Sequence, residues 1–286
     1  MTNTIIRNNS LIKLYKQELS TLYFLSNITT DWHSHPSIQL CISLHDVPLE
    51  LEIIGKKHKA FGFIIQSNVS HKLNTTGICC MNFLVNPESP FYHLLSHFTE
   101  NSTIHCLNNH EALKLANYFI KSIVTQQSLD IYHICGLLGG LDANCVCRQD
   151  NRIIKAAAII SSLHIKQISS REIAAKIHLS ESRFLHLFRS KLGVNFRGYL
   201  LWQRLQDVLD TIDSQFTLTT LANDMGFSDS AHFSRTCLSC YGLRPSELKR
   251  ALIDNDEMVC NTPNRKGYCL HRIFKTLYSQ NSKLTI

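Results

Sequence analysis

The pattern of hydrophobic and polar positions changes near residue 90 and again near residue 150. Between residues 31 and 85, short apolar runs are separated by turn residues at Asp46–Pro48, Gly55 and Asn74–Gly77. The runs are IQLCISL, LELEII, AFGFII and CCMNFLV. Runs of this length between turn signals predict antiparallel β-strands. The front of the chain is therefore expected to be a β domain.

From residue 90 to about residue 134 the apolar residues recur at helical spacing, which predicts two helices. These helices would pack either on the β domain or against a second copy of the chain, and the pattern favours neither. The two apolar stripes consist of Phe91, Leu94, Leu95 and Phe98 in the first, and Leu113, Ala116, Tyr118, Phe119 and Ile123 in the second.

Residues 152–250 have helical periodicity almost throughout, beginning with RIIKAAAIISSLH at 152–164. Ser169 and Glu172 have the spacing of a capping box, so they predict the start of a short helix. Ser180 is a suitable N-cap for the next helix. The inward positions of that helix would be Phe184, Leu187 and Phe188.

This pair of helices occurs a second time within residues 217–242. Ala174 matches Ala222 at an offset of 48, whereas Gly193 matches Gly242 at an offset of 49, so the second turn has one extra residue. Such an internal repeat predicts two helix-turn-helix units. Residues 196–212, FRGYLLWQRLQDVLDTI, predict a single rigid helix between the units.

Charge and cysteine content bear on partners and compartment. The formal net charge is +7, and residues 152–250 carry 14 Lys and Arg against 8 Asp and Glu, whereas residues 1–151 carry 10 against 11. A basic rear half indicates a polyanionic partner. The 11 scattered cysteines, without an apparent export signal, favour reduced thiols and a cytoplasmic location. No apolar run has the length that a membrane span needs.

The second helix of each unit is predicted to present a small, polar face to a DNA major groove. Arg235 is the best candidate for a bidentate contact with guanine. Leu185 would contact a thymine methyl group or be buried. Arg183, Arg189, Lys191 and Arg197 are better suited to phosphates. The candidate DNA-binding residues are Ser182, Arg183, Leu185, His186 and Arg189 in the first unit, and Ser230, Ala231, His232 and Arg235 in the second.

Three histidines and a glutamine flank the apolar runs of the front half. His33 and His35 precede the first run, Gln39 follows four residues after His35, and His71 follows the third run. This spacing is similar to that of the cupin barrel, whose metal-binding members converge two close histidines, a glutamate and a distant histidine on one ion. Gln39 stands at the glutamate position, and an amide is a poorer ligand than a carboxylate. A small-molecule pocket, a metal site and a structural role all stay open. We assign the four residues to an effector pocket and assign no metal or other cofactor.

The rear half resembles the DNA-binding domain of the AraC/XylS family of bacterial transcription regulators. The sequence departs from the family pattern where Cys237 replaces an aromatic residue and where Leu238, Ser239 and Cys240 replace basic ones. Fewer phosphate contacts are therefore expected from the second helix. The matching residues are Ala174, Leu179, Ser180, Phe184, Phe188, Gly193, Phe196, Tyr199 and Leu200 in the first unit, and Ala222, Gly226, Phe227, Ser228, Phe233, Ser234, Arg235, Gly242, Pro245 and Glu247 in the second.

The resemblance implies an α+β protein with an N-terminal cupin-like β-barrel and an all-α domain of about seven helices. We expect a ligand-sensing or dimerisation domain at 1–138, a linker at 139–151, a tandem helix-turn-helix domain at 152–250 and a tail at 251–286. The implied function is transcription regulation, most simply activation, with double-stranded DNA, RNA polymerase, a small-molecule effector and a second copy of the chain as partners. Neither catalysis nor membrane association is expected.

Two alternatives remain open from the residues. The first is a metal-dependent cupin enzyme whose helical rear domain targets it. The second is a regulator that senses thiol oxidation, for which Cys145 and Cys147 in the predicted linker would be the reactive pair.

Overall fold

A β-rich front domain and an all-helical rear domain pack against each other, so the predicted α+β organisation is confirmed. The computed structural model describes residues 15–17, 19–26, 28–89, 91–125, 127–140, 150–162, 168–211 and 217–253. Most of the predicted linker, with Cys145 and Cys147, and the tail after Ile253 lie outside the described residues. None of the helices that the structure describes is both long and apolar enough to cross a bilayer.

The front domain contains two antiparallel sheets. The strands are β1 Tyr15–Gln17, β2 Ser20–Ser26, β3 Ile38–Ser43, β4 Leu49–Ile53, β5 Lys56–Ala60, β6 Gly62–Ile65, β7 His71–Asn74, β8 Cys79–Val85 and β9 Ile104–Leu107. Six of them form one sheet in the order β1-β2-β8-β3-β6-β9, and three form the other in the order β5-β4-β7.

The large sheet is covered on both faces, which explains why its central strands are apolar at nearly every position. In β3, Leu40 and Ile42 belong to the cluster under the front-domain helices, whereas Cys41 belongs to the cluster between the two sheets. Strand β8 divides in the same way, and its Leu84 joins the core of the rear domain. The three layers are therefore helices, large sheet and small sheet, with the rear domain against one part of the large sheet.

The predicted apolar runs coincide with β3, β4, β6 and β8, and the other strands were missed. Strand β5, KKHKA, is a mostly exposed edge strand, so its sequence has no apolar alternation. By contrast, β2 pairs with β8 along its whole length and buries Leu22 and Phe24. That alternation of apolar residues was visible in the sequence.

Three α-helices cover the front domain: α1 Tyr92–Ser96, α2 Asn109–Val124 and α3 Ile131–Leu137. Asn108 and Glu111 form a capping box at the start of α2. Including Leu113 in the apolar stripe of this helix was wrong, because its side chain is 49% exposed and Leu115 is buried instead. Asp130 caps α3, which the apolar pattern alone did not predict.

The rear domain contains seven helices among the described residues, as expected. Ser169 and Glu172 form the predicted capping box, and Ser180 is the predicted N-cap of the following helix. The helices are α4 Asn151–Ser162, α5 Ser170–Lys176, α6 Glu181–Leu192, α7 Phe196–Thr211, α8 Leu218–Asp224, α9 Ser230–Tyr241 and α10 Pro245–Ile253.

The two helix-turn-helix units have the same construction with one difference in the turn. Each unit has its own apolar core, and α7 contributes to both cores. Gly193 and Gly242 end the recognition helices α6 and α9 in the left-handed conformation, with φ of 68° and 66°. In the second unit the N-cap is Asp229, which accepts a hydrogen bond from the backbone N–H of His232 at 2.7 Å. The extra residue therefore supplies the cap.

Helix α7 binds the front domain through buried polar side chains. Trp202 donates from Nε1 to Oδ1 of Asn86 at 2.9 Å, and Gln203 donates from Nε2 to Oε1 of Glu88 at 3.1 Å. One turn further on, the side chain of Gln206 receives a hydrogen bond from the Thr21 hydroxyl at 3.1 Å. These bonds are buried, so losing one partner leaves an unsatisfied group that costs about 1–3 kcal/mol.

The front domain also contacts the C-terminal ends of both recognition helices. The backbone N–H groups of Asp31 and Ser34 donate to the carbonyl oxygens of Gly242, at 2.7 Å, and Ser239, at 3.0 Å. On the first unit, the Asn68 side chain donates to the carbonyl of Gly193 at 3.3 Å. The position of α6 and α9 is therefore tied to the front domain at the end of each helix.

Replacing Gly242 by alanine should weaken the interface between the domains. A Cβ atom there would lie 2.4 Å from the Asp31 carbonyl oxygen and 2.6 Å from Nδ1 of His33. Gly193→Ala is the matched control, because that residue has nearly the same φ and its nearest non-local atom is Asn68 Nδ2 at 3.8 Å. We expect Gly193→Ala to lose about 1–2 kcal/mol from backbone strain and Gly242→Ala to lose roughly 2 kcal/mol more from overpacking.

Equilibrium unfolding in denaturant measures both losses, and limited proteolysis reports whether the domains separate. Equal destabilisation by the two substitutions would mean that the contact at Gly242 is not part of the folded interface in solution.

A second prediction concerns pH. Burial raises the pKa of Glu88 from 4.5 to about 7, although its own backbone N–H and the Gln203 side chain favour the ionised form. Between these values the unfolded chain loses the Glu88 proton while the folded chain keeps it. The unfolding free energy therefore falls as pH rises through this window. Glu88→Gln removes the ionisation, so the variant should match wild type near pH 4 and exceed it by roughly 2–3 kcal/mol at pH 8.

Tryptophan fluorescence can follow the unfolding, because Trp202 lies directly at the interface. A difference between variant and wild type that stays constant across the pH range would show that Glu88 does not titrate in this window.

Candidate DNA-binding surface and interdomain histidine cluster

Helix α6 presents all of its predicted DNA-binding residues on one side of the first unit. Phe184 and Phe188 are fully buried on the opposite side. Leu185 is 38% exposed, so the interpretation that it is a buried core residue was wrong. The exposed set is Ser182, Arg183, Leu185, His186 and Arg189.

Helix α9 presents Ser230, Ala231 and Arg235 to solvent. His232 is half-buried, its ring centroid lies 5.5 Å from that of Phe227, and its Nδ1 lies 3.2 Å from the Ser228 hydroxyl. Because these local contacts hold the His232 ring, Arg235 is the more accessible long side chain. Among the described residues Arg235 forms no ion pair.

The C-terminal half of α9 lacks the basic residues of the AraC/XylS pattern, and its packing against the front domain accounts for this difference. The C-terminal half of this helix lies against residues 30–35 of the front domain, where the Ser239 carbonyl accepts from the Ser34 N–H. Cys240 is half-buried and Cys237 is fully buried. A helix end that packs on another domain has less surface available for phosphates. The small, uncharged residues there are consistent with this packing.

The residues assigned to an effector pocket come together at the interface between the domains. His33 and His71 pair through their backbones, and their ring centroids lie 4.1 Å apart. The His35 ring lies 5.9 Å from that of His33 and 5.4 Å from that of His71. Gln39 lies beside it, with Oε1 3.0 Å from Nε2 of His35. All four side chains are buried.

Each histidine ring is oriented by a backbone carbonyl within two residues of it. The Nδ1 atoms of His33, His35 and His71 each lie 2.9 Å from the carbonyl oxygens of Asp31, Ser37 and Val69 respectively. A carbonyl oxygen only accepts, so Nδ1 carries the hydrogen in His33 and His71, and the lone pair of each neutral ring is on Nε2. His35 has an oxygen acceptor beside each ring nitrogen, the Ser37 carbonyl at Nδ1 and Gln39 Oε1 at Nε2, so its neutral ring donates to one of the two.

The three imidazoles are held in the neutral form. Burial is the largest cause for each, and it lowers the pKa of His33 to about 4, with the neighbouring His35 adding to the shift. The pKa of His71 is lowered well below its usual range by burial and then by the charges of the other two rings. His35 shifts in the same direction for the same first reason.

A cavity beside this cluster is lined by both domains. Its cavity volume is about 30 Å³, and the whole space between the atoms, including the open mouth, is about 520 Å³. The stacking of His35 on Trp202, with ring centroids 5.4 Å apart, links the cluster to α7. The lining residues are Tyr23, Leu25, Thr30, His33, His35, Gln39 and Leu73 from the front domain, and Tyr241, Leu243 and Leu248 from the rear domain.

The sequence predicted His33, His35 and Gln39, which the front domain contributes to this site, and missed the residues contributed by the rear domain. Gln203 and Gln206 are polar, so no hydrophobic pattern distinguishes them from surface residues of α7. Gln206 lies four residues after Trp202 and three after Gln203, so the three share one side of the helix, and this spacing was the available signal. Tyr241, Leu243 and Leu248, which the rear domain contributes to the cavity, were not predicted.

Comparison with known proteins supports the assignment of the rear domain. A family model described as a helix-turn-helix domain matches residues 173–251. The Arabinose operon regulatory protein of Escherichia coli K12 is 33% identical over 102 residues, which are 35% of this chain and 35% of that protein. Transcriptional activator RhrA of Rhizobium meliloti is 37% identical over 71 residues, 24% of this chain and 23% of that protein.

The matched segment thus spans about a third or less of these curated relatives. Several solved structures of ToxT from Vibrio cholerae resemble most of the chain. Unsaturated fatty acid bound wild-type ToxT from Vibrio cholerae strain SCE256 has a TM-score of 0.56 at 14% identity, and the match covers 87% of this chain and 99% of that one. At this identity the likeness concerns the fold, a β-sheet domain followed by a helical domain. Residues 173–251 thus match a helix-turn-helix domain and are similar in sequence to the DNA-binding regulators of the AraC family.

Proposed function

We propose that the protein is a sequence-specific DNA-binding regulator of transcription that reads two successive major-groove segments. The observation that carries this proposal is the pair of recognition helices, α6 and α9, each with a polar face exposed opposite an apolar core. Helix α7 connects them and has 16 residues, which is about 24 Å of rigid helix. Successive openings of the major groove on one face of DNA lie about 34 Å apart. A rigid connector of this kind holds the two helices in a fixed relation.

The side chains divide into base readers and phosphate contacts. Arg235 is exposed and long enough for a bidentate contact with guanine, and Ser182 and His186 are suited to base edges in the first half-site. Leu185 is exposed, so it is available for a thymine methyl group. Arg183, Arg189, Lys191 and Arg197 are all exposed and would position the protein on the backbone.

The front domain would act as the sensory part, with a cupin-like barrel at 1–138, the linker at 139–151, the DNA-binding domain at 152–250 and the tail at 251–286. The interdomain cavity would receive a small effector with an apolar body, because six of its ten lining residues are Leu or Tyr. The lining contains no Lys or Arg. An acidic ligand of the kind bound in the ToxT structure would therefore meet imidazoles rather than fixed positive charge.

The protein would activate transcription, as Transcriptional activator RhrA of Rhizobium meliloti does by its name. Contact with RNA polymerase would then involve surface left exposed on the DNA-bound rear domain. A homodimer would form through the front domain, whose helix α2 exposes Leu113. The protein would act in the cytoplasm.

Selection of bound sequences from random duplex DNA by the full-length protein tests the main proposal. We expect a site with two conserved elements about one helical turn apart. Arg235→Ala should relax base preference in one element only, by about 1–3 kcal/mol at one position. His186→Ala should affect the other element.

Lys114→Ala on α2 is the matched control, because it removes an exposed positive charge from the front domain. It should leave both elements unchanged. The proposal fails if the full-length protein shows no sequence preference and its affinity depends on salt alone.

A further inference from the structure

We propose that His33, His35 and His71 bind one divalent transition-metal ion, of the Zn²⁺ type, at the interface between the two domains. Three ligand nitrogens, two from residues 33 and 35 and one from residue 71, belong to buried side chains and lie within 4.8 Å of one another. A Zn²⁺ ion bonds to imidazole nitrogen at about 2.0–2.1 Å, so nitrogens around one ion are about 3–4 Å apart. Binding of the ion would therefore draw the nitrogens closer together through rotation of the rings.

The orientation of the rings is the first independent support. In His33 and His71, Nδ1–H donates to a backbone carbonyl, which leaves Nε2 as the ligating atom. His35 has the same carbonyl contact at Nδ1, and its Nε2 would ligate once Gln39 Oε1, 3.0 Å away, turns from that atom toward the ion. Metal-binding histidines in proteins nearly always have the second ring nitrogen held in this way. The carbonyls belong to residues within two positions of each histidine, so the chain itself sets the ring orientation.

An unsatisfied atom is the second support. Nε2 of His71 is buried and has no hydrogen-bond partner. A buried polar atom without a partner costs about 1–3 kcal/mol, and such atoms are rare in folded proteins. This atom lies on the residue whose ring packs closest to His33. A metal ion bound by the three rings would satisfy it.

The chemistry of the donors selects the class of metal. Three neutral imidazoles suit Zn²⁺, Co²⁺, Ni²⁺ or Cu²⁺, whereas Mg²⁺ and Ca²⁺ prefer oxygen ligands. Gln39 lies against His35 and offers an amide oxygen as a weak fourth ligand. Otherwise the fourth position is available to a ligand in the cavity.

The site is placed to affect the rear domain. His33 belongs to the segment whose backbone binds Gly242 and Ser239 at the end of α9. His35 stacks on Trp202 of α7. An ion that joins these histidines to His71 would make the segment more rigid and would strengthen its contact with the second helix-turn-helix unit. This consequence for DNA rests on the proposed function, whereas metal binding does not.

Metal titration of the full-length apo-protein is the first test. A chromogenic chelator competing for Zn²⁺ should report one tightly bound ion per chain. Co²⁺ should produce a visible absorption band of low-symmetry nitrogen coordination without a thiolate charge-transfer band, which excludes binding by the cysteines. His71→Ala should weaken Zn²⁺ binding by at least about 10-fold, the loss that outer-shell changes alone produce.

His110→Ala is the matched control, because His110 is exposed at the start of α2, away from the cluster. It should bind as wild type does. A second variant, Gln39→Glu, supplies a carboxylate next to His35 and should raise the affinity for Zn²⁺. The proposal is overturned if the wild-type protein binds no Zn²⁺, if binding is equal in wild type and His71→Ala, or if Co²⁺ shows thiolate coordination.

DNA binding with and without Zn²⁺ then tests the coupling. We expect the affinity of the full-length protein for its selected site to change several-fold on adding Zn²⁺, and His71→Ala to remove the change. Sequence-specific binding with a chelator present would support the proposed function whatever the metal result. A protein that binds Zn²⁺ at the histidines but no specific DNA would leave the metal site intact and reject the regulator.

Discussion

The docking of α7 on the front sheet is the interaction on which the rest of the structure depends. This helix contributes to the cores of both helix-turn-helix units and hydrogen-bonds the front domain through Trp202, Gln203 and Gln206. An apolar interface tolerates sliding, because hydrophobic burial has no preferred direction. Buried polar groups do not tolerate sliding, since each group that loses its hydrogen-bond partner destabilises the structure by about 1–3 kcal/mol. The polar residues of α7 therefore define one relative position of the two domains.

That position has a consequence for DNA reading. Two recognition helices must keep a fixed separation and orientation if both are to enter the groove. The front domain holds the Gly193 and Gly242 ends of these helices as well as the helix between them. Any change in the front domain that moves residues 30–34 or Asn68 would thus alter the relation between the helices. The interface offers a direct mechanical route from the cavity to the DNA-binding surface.

Local signals made the rear domain predictable, whereas the interface required the fold. Capping boxes, C-terminal glycines and the repeat itself lie within a few residues of each other, so Ser169, Ser180 and the recognition-helix faces followed from the sequence. Edge strands such as β5 are polar, so their sequences show no alternation of apolar and polar residues. The role of Gln203 depends on Glu88, which lies 115 residues away. No local pattern records such a pairing. The histidines were recognised by their spacing, but that they meet the rear domain at Trp202 was not foreseeable.

The cost of the histidine cluster argues against a purely structural role. Three imidazoles are buried with depressed pKa values, and one Nε2 atom has no partner. Leucine or phenylalanine would fill the same space without that cost, and the neighbouring lining residues Leu25, Leu73 and Leu243 show that apolar side chains are accommodated there. Stability alone therefore does not account for three nitrogens that face one another. A ligand that bonds to nitrogen lone pairs would account for them. The backbone pairing of His33 with His71 would transmit its binding to the segment that holds α9.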